Sequence, residues 1–255
     1  MGEFIVTAMD GPVATITLNR PDRHNSLIPE LLEELLATLE VLSGRADLRA
    51  VVLQANGRSF STGIDMRSFA TSSDRAVYAD TIVNLLNRVM LAMIDLPVPL
   101  ITAVHGLVTG GSLGLVLTSD IVLLAPGASF TPYYTTVGLS PDGGWTALLP
   151  ALVGHVRAAE ILLLERTISA EEAVAWGLAN RIVSAASIRE EALAMAHTLA
   201  GQLPGSVRQI RRLLWANADG IAQRLETERN AFVAQIDKAE AERGIAAFLN
   251  RRRNG

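Results

Sequence analysis

One stretch in the middle of the chain, residues 96–120, constrains the fold more than any other. It holds an apolar run at residues 98–104, a turn, the glycine pair Gly110 and Gly111, and a second short apolar run. This pattern predicts a buried strand that turns tightly into an apolar helix. Because glycine has no side chain, the amide N–H groups at the junction are uncovered, and a helix N-terminus favours negative charge. The stretch therefore predicts either a backbone site for an anion or, as readily, the close packing of a helix on a strand.

The glycine pair does not match a nucleotide-binding motif. The segment that starts at Gly110 reads GGSLG, which lacks the third glycine of GxGxxG and the lysine of GxxxxGK[ST]. A backbone N–H beside an apolar helix is half of an oxyanion hole. The sequence therefore favours an oxyanion over a phosphate as the group held here.

Composition excludes several classes of function. The 255 residues include no cysteine, which removes disulfides, thiolate nucleophiles and cysteine-based zinc sites. The four histidines lie far apart and none has HExxH spacing, so we expect no metal. The net charge of -4 argues against nucleic-acid binding, and we interpret the one basic run, residues 251–253, as a solvated tail.

The location of the protein is predicted from what the sequence lacks. Residues 1–11 include acidic side chains and no apolar core of signal-peptide length. No apolar run reaches about 18 residues without Gly, Pro or a charge, which is the length that a membrane helix needs. We expect a soluble cytoplasmic protein without a membrane partner.

The order of the predicted elements indicates an α/β fold. Runs at residues 3–8 and 13–18, separated by an Asp-Gly turn, predict a hairpin, and alternating strands and helices follow to residue 184. The first of these helices has leucines at three- and four-residue steps from Leu31 to Leu42, and a helical break is predicted near Gly154. From residue 187 onward only helices are predicted. We place the boundary between a core domain (1–195) and a helical region (196–255) near residue 195.

Three segments together resemble the crotonase, or enoyl-CoA hydratase/isomerase, superfamily. They are residues 18–27 (LNRP, then NSL), 60–65 (FSTGID) and 104–120 (VHG, then GG and SD). The resemblance implies a crotonase-like spiral of β-β-α turns with a C-terminal helical trimerisation region, in a homotrimer or hexamer. It also implies an acyl-CoA thioester substrate of the kind found in fatty acid metabolism, with coenzyme A entering as part of the substrate and no separate cofactor.

The resemblance also assigns roles to residues. In the family two backbone N–H groups hold the thioester oxygen, and by position these belong to Ile64 and Gly111. Two such donors stabilise an enolate, so that a proton can leave or join the carbon chain nearby. Substrate or coenzyme A contacts are expected from Arg23, Asp65, Met66 and Tyr134, in addition to the two oxyanion residues.

A departure from the family pattern points to a particular reaction. Hydratases of the family use two glutamates, and those positions hold Gly114 and Tyr134 here, which disfavours hydration. Asp142 falls where several enoyl-CoA isomerases of the family carry a single catalytic acid. An isomerase needs only one base, which takes a proton from C2 and returns it at C4. We expect apolar neighbours such as Leu139 and Trp145 to raise the pKa of this carboxyl group.

Other interpretations stay open on the sequence alone. Asp142 lies in SPDGG, which is also ordinary turn chemistry, so a helix cap or turn role competes with catalysis. Asp142 also matches the nucleophile of 4-chlorobenzoyl-CoA dehalogenase, although the histidine base of that enzyme would fall at Asn87. The remaining alternatives are thioester hydrolysis, decarboxylation, residual hydration, and a non-catalytic member that binds acyl-CoA.

Overall fold

The computed structural model describes residues 3–216 and 218–251 and has a mixed α/β architecture. Six strands form the main sheet in the order β1-β2-β3-β4-β6-β9, and β5-β7-β8 form a second, smaller sheet. The strands are β1 (Ile5–Asp10), β2 (Val13–Leu18), β3 (Ala50–Ala55), β4 (Leu100–Val104), β5 (Leu107–Thr109), β6 (Ile121–Leu124), β7 (Ser129–Thr131), β8 (Ile168–Ser169) and β9 (Arg181–Ile182).

Twelve helices surround these sheets within the described part of the chain. They are α1 (Pro29–Ser43), α2 (Met66–Thr71), α3 (Arg75–Asp95), α4 (Gly114–Leu117), α5 (Tyr134–Val137), α6 (Leu149–Val153), α7 (His155–Leu163), α8 (Ala170–Ala175), α9 (Ile188–Ala200), α10 (Pro204–Leu214), α11 (Ala218–Ile236) and α12 (Ala239–Arg251). Short 3-10 helices lie at Pro21–Arg23 and Gly110–Leu113.

The main sheet begins with the predicted hairpin. β1 pairs antiparallel with β2 across a turn in which Gly11 has a φ of 56°. From β2 onward every neighbouring pair in this sheet is parallel. Helices cover both faces of the parallel part, which explains why β3 and β4 are apolar along nearly their whole length.

The main helical layer is built on apolar stripes. α1 buries six leucines at three- and four-residue spacing, as the sequence predicts. α3 packs between α1 and α11. By length and composition α3 could cross a membrane, but about half of it is buried inside the fold, as expected of a core helix.

The central stretch contains one strand more than the sequence predicts. β4 ends at Val104, and after a bend the chain forms β5, which pairs parallel with β7. Both β5 and β7 have three residues, which is too short for a periodic pattern to be visible in sequence. The second sheet that they start lies beside the glycine pair, so it fixes where Gly110–Leu113 begins.

The C-terminal helical region is present as predicted and closes over the rest of the fold. The predicted boundary at residue 195 falls inside α9, which is continuous and packs on β2, β3 and β4. α12 packs against α5 and α2. Of the basic run at residues 251–253, residues 252 and 253 lie outside the described residues, so its predicted role as a solvated tail stays a prediction.

Candidate active site

A cavity of about 710 Å³ opens where the second sheet, the loop before α2 and the C-terminal helices meet. Its walls come from segments that are far apart in sequence, including α11 and α12. All the residues predicted to form the site line this cavity: Arg23, Ile64, Asp65, Met66, Gly111, Tyr134 and Asp142. The fold therefore brings the predicted residues together.

The peptide unit between Gly63 and Ile64 is restrained through its carbonyl group. Its carbonyl oxygen, on Gly63, accepts a 2.7 Å hydrogen bond from the backbone N–H of Leu27. The amides on either side of Ile64 are also engaged, because Gly63 N–H donates to Ser112 Oγ (2.8 Å) and Asp65 N–H donates to Leu27 O (2.9 Å). The N–H of Ile64 has no acceptor among the described residues. It is thus a free donor on the cavity wall.

The amide of Gly111 has the same character. Gly111 is the second residue of the 3-10 helix, a position whose N–H has no partner within the helix. Gly110, just before it, adopts a left-handed φ of 52° and lies next to Gly63: a Cβ atom placed on Gly63 would be 3.5 Å from Gly110 Cα. The two loops that carry the free amides are therefore in direct backbone contact.

Three hydroxyl and amide groups tie these two loops together. Ser61 Oγ donates to Asn25 O (2.6 Å), so Ser112 Oγ donates its own hydrogen to Ser61 Oγ (2.5 Å). Ser112 Oγ then accepts from Gly63 N–H. Both serine side chains are buried, and each hydrogen bond runs in one direction along the chain of groups. The relative position of the two amides is thereby fixed in the folded protein.

Asp142 is a buried carboxyl group with one free oxygen. Its Oδ1 accepts a 2.5 Å hydrogen bond from the hydroxyl of Tyr134, whereas Oδ2 is buried without a partner. Oδ2 faces the glycine pair, because a Cβ atom placed on Gly111 would lie only 2.5 Å from it. Removal from water raises the pKa of Asp142 to about 7, against the opposing hydrogen bond from Tyr134, and the negative charge of Glu228 adds to the rise. The predicted rise in pKa is confirmed.

The alternative turn role of Asp142 does not account for both of its carboxyl oxygens. Its Oδ2 has no hydrogen-bond partner among the described residues, and its side chain caps no helix among the described elements. A carboxylate kept only for a turn would satisfy its oxygens, since an unpaired buried oxygen is costly. The unpaired Oδ2 therefore calls for a functional explanation.

Tyr134 orients this carboxyl group. Its hydroxyl donates to Asp142, and its ring stands edge-on to Trp145 at 6.3 Å between centroids. Its predicted contact with substrate stays a prediction. Burial raises the pKa of Tyr134 well above its usual value, so its proton stays in place at neutral pH. The preceding residue, Tyr133, has a left-handed φ of 61°. Tyr134 thus holds Oδ1 and leaves Oδ2 available.

Glu228 is a further site residue that the sequence prediction missed. Its buried carboxylate accepts hydrogen bonds from the N–H groups of Gly144 (2.8 Å), Thr146 (2.6 Å) and Ala147 (2.8 Å) and from the Thr146 hydroxyl. These contacts fasten the loop that carries Asp142 to α11. A signal was present in the sequence, because Glu228 lies on the apolar stripe of α11 with Leu225 and Phe232.

Asp65 lines the same cavity but has all its acceptor capacity in use. It receives hydrogen bonds from Arg20 (2.8 Å) and Arg23 (2.8 and 3.0 Å), and it caps α2 through the N–H groups of Arg67 and Ser68. Burial acts to raise the pKa of Asp65, but the hydrogen bonds from Arg20 and Ser68 and the charge of Arg23 hold it below its usual value. Its predicted contact with coenzyme A stays a prediction, and its structural role is evident.

A known protein family matches nearly the whole chain. The family model described as enoyl-CoA hydratase/isomerase matches residues 9–254. The chain belongs to the enoyl-CoA hydratase/isomerase family. It is 31% identical over 255 residues to 1,2-epoxyphenylacetyl-CoA isomerase of Escherichia coli K12, covering 99% of this chain and 97% of that one. It is 29% identical to 4-chlorobenzoyl coenzyme A dehalogenase-2 of an Arthrobacter species, covering 94% of this chain and 88% of that one.

A solved structure confirms the predicted crotonase fold. The crystal structure of an enoyl-CoA hydratase/isomerase from Pseudoalteromonas atlantica T6c superposes with a TM-score of 0.88 at 30% identity. The match covers 98% of each chain. The family is therefore established over nearly the full length.

The position of the first hydratase glutamate is closed by packing. A Cβ atom placed on Gly114 would lie 2.5 Å from Met90 Sδ and 3.0 Å from the carbonyl oxygen of Gly143. Any side chain at this position would have to displace Met90, which is fully buried. The position that the resemblance matches to the first hydratase glutamate therefore has no room for a side chain without a shift of Met90.

Two further polar residues, Asn87 and His105, do not line the 710 Å³ cavity. Asn87, at the position of the dehalogenase base, donates through Nδ2 to Leu225 O (3.1 Å) and does not line the cavity. His105 shares a 2.8 Å hydrogen bond with Gly57 O, and burial lowers its pKa. Among the side chains the structure describes, no cluster of three or more acidic or histidine residues is arranged to hold a metal.

Proposed function

We propose that this protein is an acyl-CoA isomerase that moves a double bond from Δ3 to Δ2 by shuttling one proton through Asp142. The observation that carries the proposal is the unpaired, buried Oδ2 of Asp142 beside Gly111. A carboxyl group whose pKa is about 7 is suited both to remove and to return a proton at neutral pH.

The chemistry follows from the proposed positions of base and oxyanion hole. Asp142 Oδ2 removes a proton from C2 of a 3-enoyl thioester, and the C2–H electron pair moves towards the carbonyl. The negative charge that develops on the thioester oxygen is held by the N–H groups of Ile64 and Gly111, each typically worth about 2.7 to 4 kcal/mol. The same carboxyl group returns the proton at C4, which leaves the double bond between C2 and C3.

The acids around the cavity support one-base chemistry. Among the described lining residues the carboxyl groups are those of Asp22, Asp65 and Asp142. Asp22 is exposed at the mouth, and Asp65 is fully paired. Hydration requires a second carboxylate near the reacting carbons, and neither of the other two described lining carboxyl groups is available for that role.

The remaining lining supports an acyl-CoA as substrate. Three arginines, Arg23, Arg58 and Arg67, line the cavity and suit the phosphates of coenzyme A. The apolar part of the wall suits a hydrocarbon acyl group, and it is formed by Met66, Val137, Leu139, Phe232, Phe248 and Leu249. Both features extend the proposal from the reaction to its substrate class.

Assembly and location are part of the same proposal. The C-terminal region exposes large apolar side chains at Leu203, Ile210, Leu213 and Leu214 along α10 and the turn before it. Such a face supports burial against further copies of the chain in a homotrimer or hexamer. We place the assembly in the cytoplasm.

One assay separates the alternatives. The protein is incubated in turn with 3-hexenoyl-CoA, 2-hexenoyl-CoA, hexanoyl-CoA and 4-chlorobenzoyl-CoA, while enoyl-thioester absorbance, free thiol and chloride are followed. The proposal predicts a rise in enoyl-thioester absorbance with the 3-enoyl substrate alone, and its loss in Asp142→Asn. If 3-hexenoyl-CoA is not converted, the isomerase proposal is wrong. Thiol release would then indicate a hydrolase, chloride release a dehalogenase, and loss of the 2-enoyl absorbance a hydratase.

A further inference from the structure

Trp145 contacts the peptide behind the proposed oxyanion donor. Its side chain is fully buried, and the indole N–H donates a 2.8 Å hydrogen bond to the carbonyl oxygen of Gly110. The same ring stands edge-on to Tyr134, which holds Asp142. One tryptophan therefore contacts both the donor side and the base side of the cavity.

The geometry of a peptide unit makes this contact consequential. The carbonyl of Gly110 and the N–H of Gly111 belong to one planar trans peptide, so their directions are opposite and linked. Glycine permits rotation of this unit over a wide range of φ and ψ, since no side chain restricts it. A hydrogen bond to the carbonyl oxygen fixes the direction of the N–H, and it also polarises the peptide so that the N–H becomes a stronger donor.

The second oxyanion peptide is held in a different way. The carbonyl of Gly63, which precedes the N–H of Ile64, accepts from the backbone of Leu27. No side-chain substitution removes that donor. The Gly110–Gly111 peptide is the half of the oxyanion hole whose restraint comes from a side chain.

We propose that Trp145 is a positioning residue that aims and polarises the N–H of Gly111 at the thioester oxygen. This inference rests on the oxyanion hole of the proposed function, although not on the identity of the reaction. Loss of the indole N–H should weaken binding of the enolate more than binding of the substrate, because negative charge on the thioester oxygen grows along the reaction.

The test removes the N–H while keeping the shape of the side chain. Trp145 is replaced by 3-benzothienylalanine through nonsense suppression, with Trp145→Phe as a second variant. The matched control is Trp215→Phe. Trp215 also donates its indole N–H, in this case to the partly buried Asp120 Oδ1 (2.7 Å), and neither residue lines the cavity. The probe is cinnamoyl-CoA labelled with ¹³C at the thioester carbonyl, which has no C4 proton for an isomerase to move.

Infrared difference spectra report the polarisation of the bound carbonyl directly. We expect its stretch to move to lower wavenumber on the wild-type protein and on Trp215→Phe, and to lose a large part of that shift on the benzothienyl variant. With 3-hexenoyl-CoA we expect kcat to fall about tenfold in this variant with KM changed less than about twofold, since the donor is misaligned and not removed.

The result also distinguishes the two proposals. Asp142→Asn should keep the full carbonyl shift, so a protein that isomerises no substrate still gives a reading of Trp145. A benzothienyl variant with the full carbonyl shift and unchanged kcat would overturn the role of Trp145, whatever the reaction. A wild-type protein that binds the probe without any carbonyl shift would overturn it as well.

Discussion

Two buried aspartates line the same cavity, and their pKa values are shifted in opposite directions. Asp65 accepts from two arginines and two backbone amides, and its pKa is below the usual value. Asp142 accepts a side-chain hydrogen bond at one oxygen only, and burial raises its pKa to about 7. A structural carboxylate has hydrogen-bond partners for both of its oxygens within the fold, whereas a carboxylate that moves protons must keep one oxygen free. The contrast supports the proposed division between a structural acid, Asp65, and a catalytic acid, Asp142.

The largest effect is expected from Asp142→Asn. An amide cannot accept a proton from C2, so isomerisation of 3-hexenoyl-CoA should fall about a thousandfold, within the range typical of a general base. The matched control is Asp65→Asn, which makes the same substitution in the same cavity. Similar losses of turnover in both variants would break the distinction between the two aspartates.

The same variant should gain stability at neutral pH. The folded-state pKa of Asp142 is raised, so its contribution is complete below its unfolded pKa near 3.8 and is lost as pH rises through about 7. Asp142→Asn should therefore unfold at higher denaturant concentration than the wild type at pH 8, and the advantage should vanish at pH 4. Denaturant titrations at the two pH values measure this difference.

A smaller loss is expected from Gly111→Ala. The added Cβ would lie 2.5 Å from Asp142 Oδ2 and 2.8 Å from a methyl carbon of Leu86, so the free oxygen and the donor peptide would be pushed apart. We expect turnover to fall about a hundredfold, comparable to the loss of one oxyanion donor. Gly205→Ala is the control, because a Cβ there meets no atom within 4 Å. Full activity in Gly111→Ala would show that Oδ2 and this peptide need not be adjacent.

The pH profile sharpens the comparison further. Asp142 must be ionised to remove a proton, so kcat/KM should rise with pH to a plateau above about 7. The hydrogen bond from Tyr134 lowers the pKa of Asp142, so Tyr134→Phe should move this ascending limb to higher pH. A limb near pH 4 in the wild type, or a shift to lower pH in the variant, would contradict the assignment of the limb to Asp142.

The smallest effect on turnover is expected from Asp65→Asn. The variant leaves Arg20 and Arg23 without their shared carboxylate, which should cost about 2 to 4 kcal/mol of folding free energy. At temperatures where it remains folded, kcat should stay within about twofold of the wild type, because Asp65 takes no part in the proposed proton transfer. Thermal unfolding and initial rates of the same preparation measure both quantities.

The parts of the fold that were predictable have local causes. The leucine stripe of α1 and the turn between β1 and β2 depend on neighbours within about four residues, and both are confirmed. The break at Gly154 between α6 and α7 is confirmed for the same reason. Strands β5 and β7 were missed because three residues carry no readable period.

The site was predictable only where backbone chemistry or family position decides it. Gly111 is identifiable because only glycine fits beside Asp142. The contacts that hold the donor peptide and the loop after Asp142 were not predictable, since Trp145 meets Gly110 across 35 residues and Glu228 meets Gly144 across 84. Such contacts follow from the packing of whole elements, which single-sequence patterns do not encode.

The most direct test of the central claim is the fate of the proton that leaves C2. A 3-hexenoyl-CoA substrate carrying deuterium at C2 is converted in ordinary water, and mass spectrometry of the product locates the label. One buried carboxyl group that removes and returns the proton predicts deuterium at C4 of the 2-enoyl product, and no label transfer in Asp142→Asn. A product whose added hydrogen at C4 comes entirely from water, formed at equal rates by wild type and variant, would contradict it.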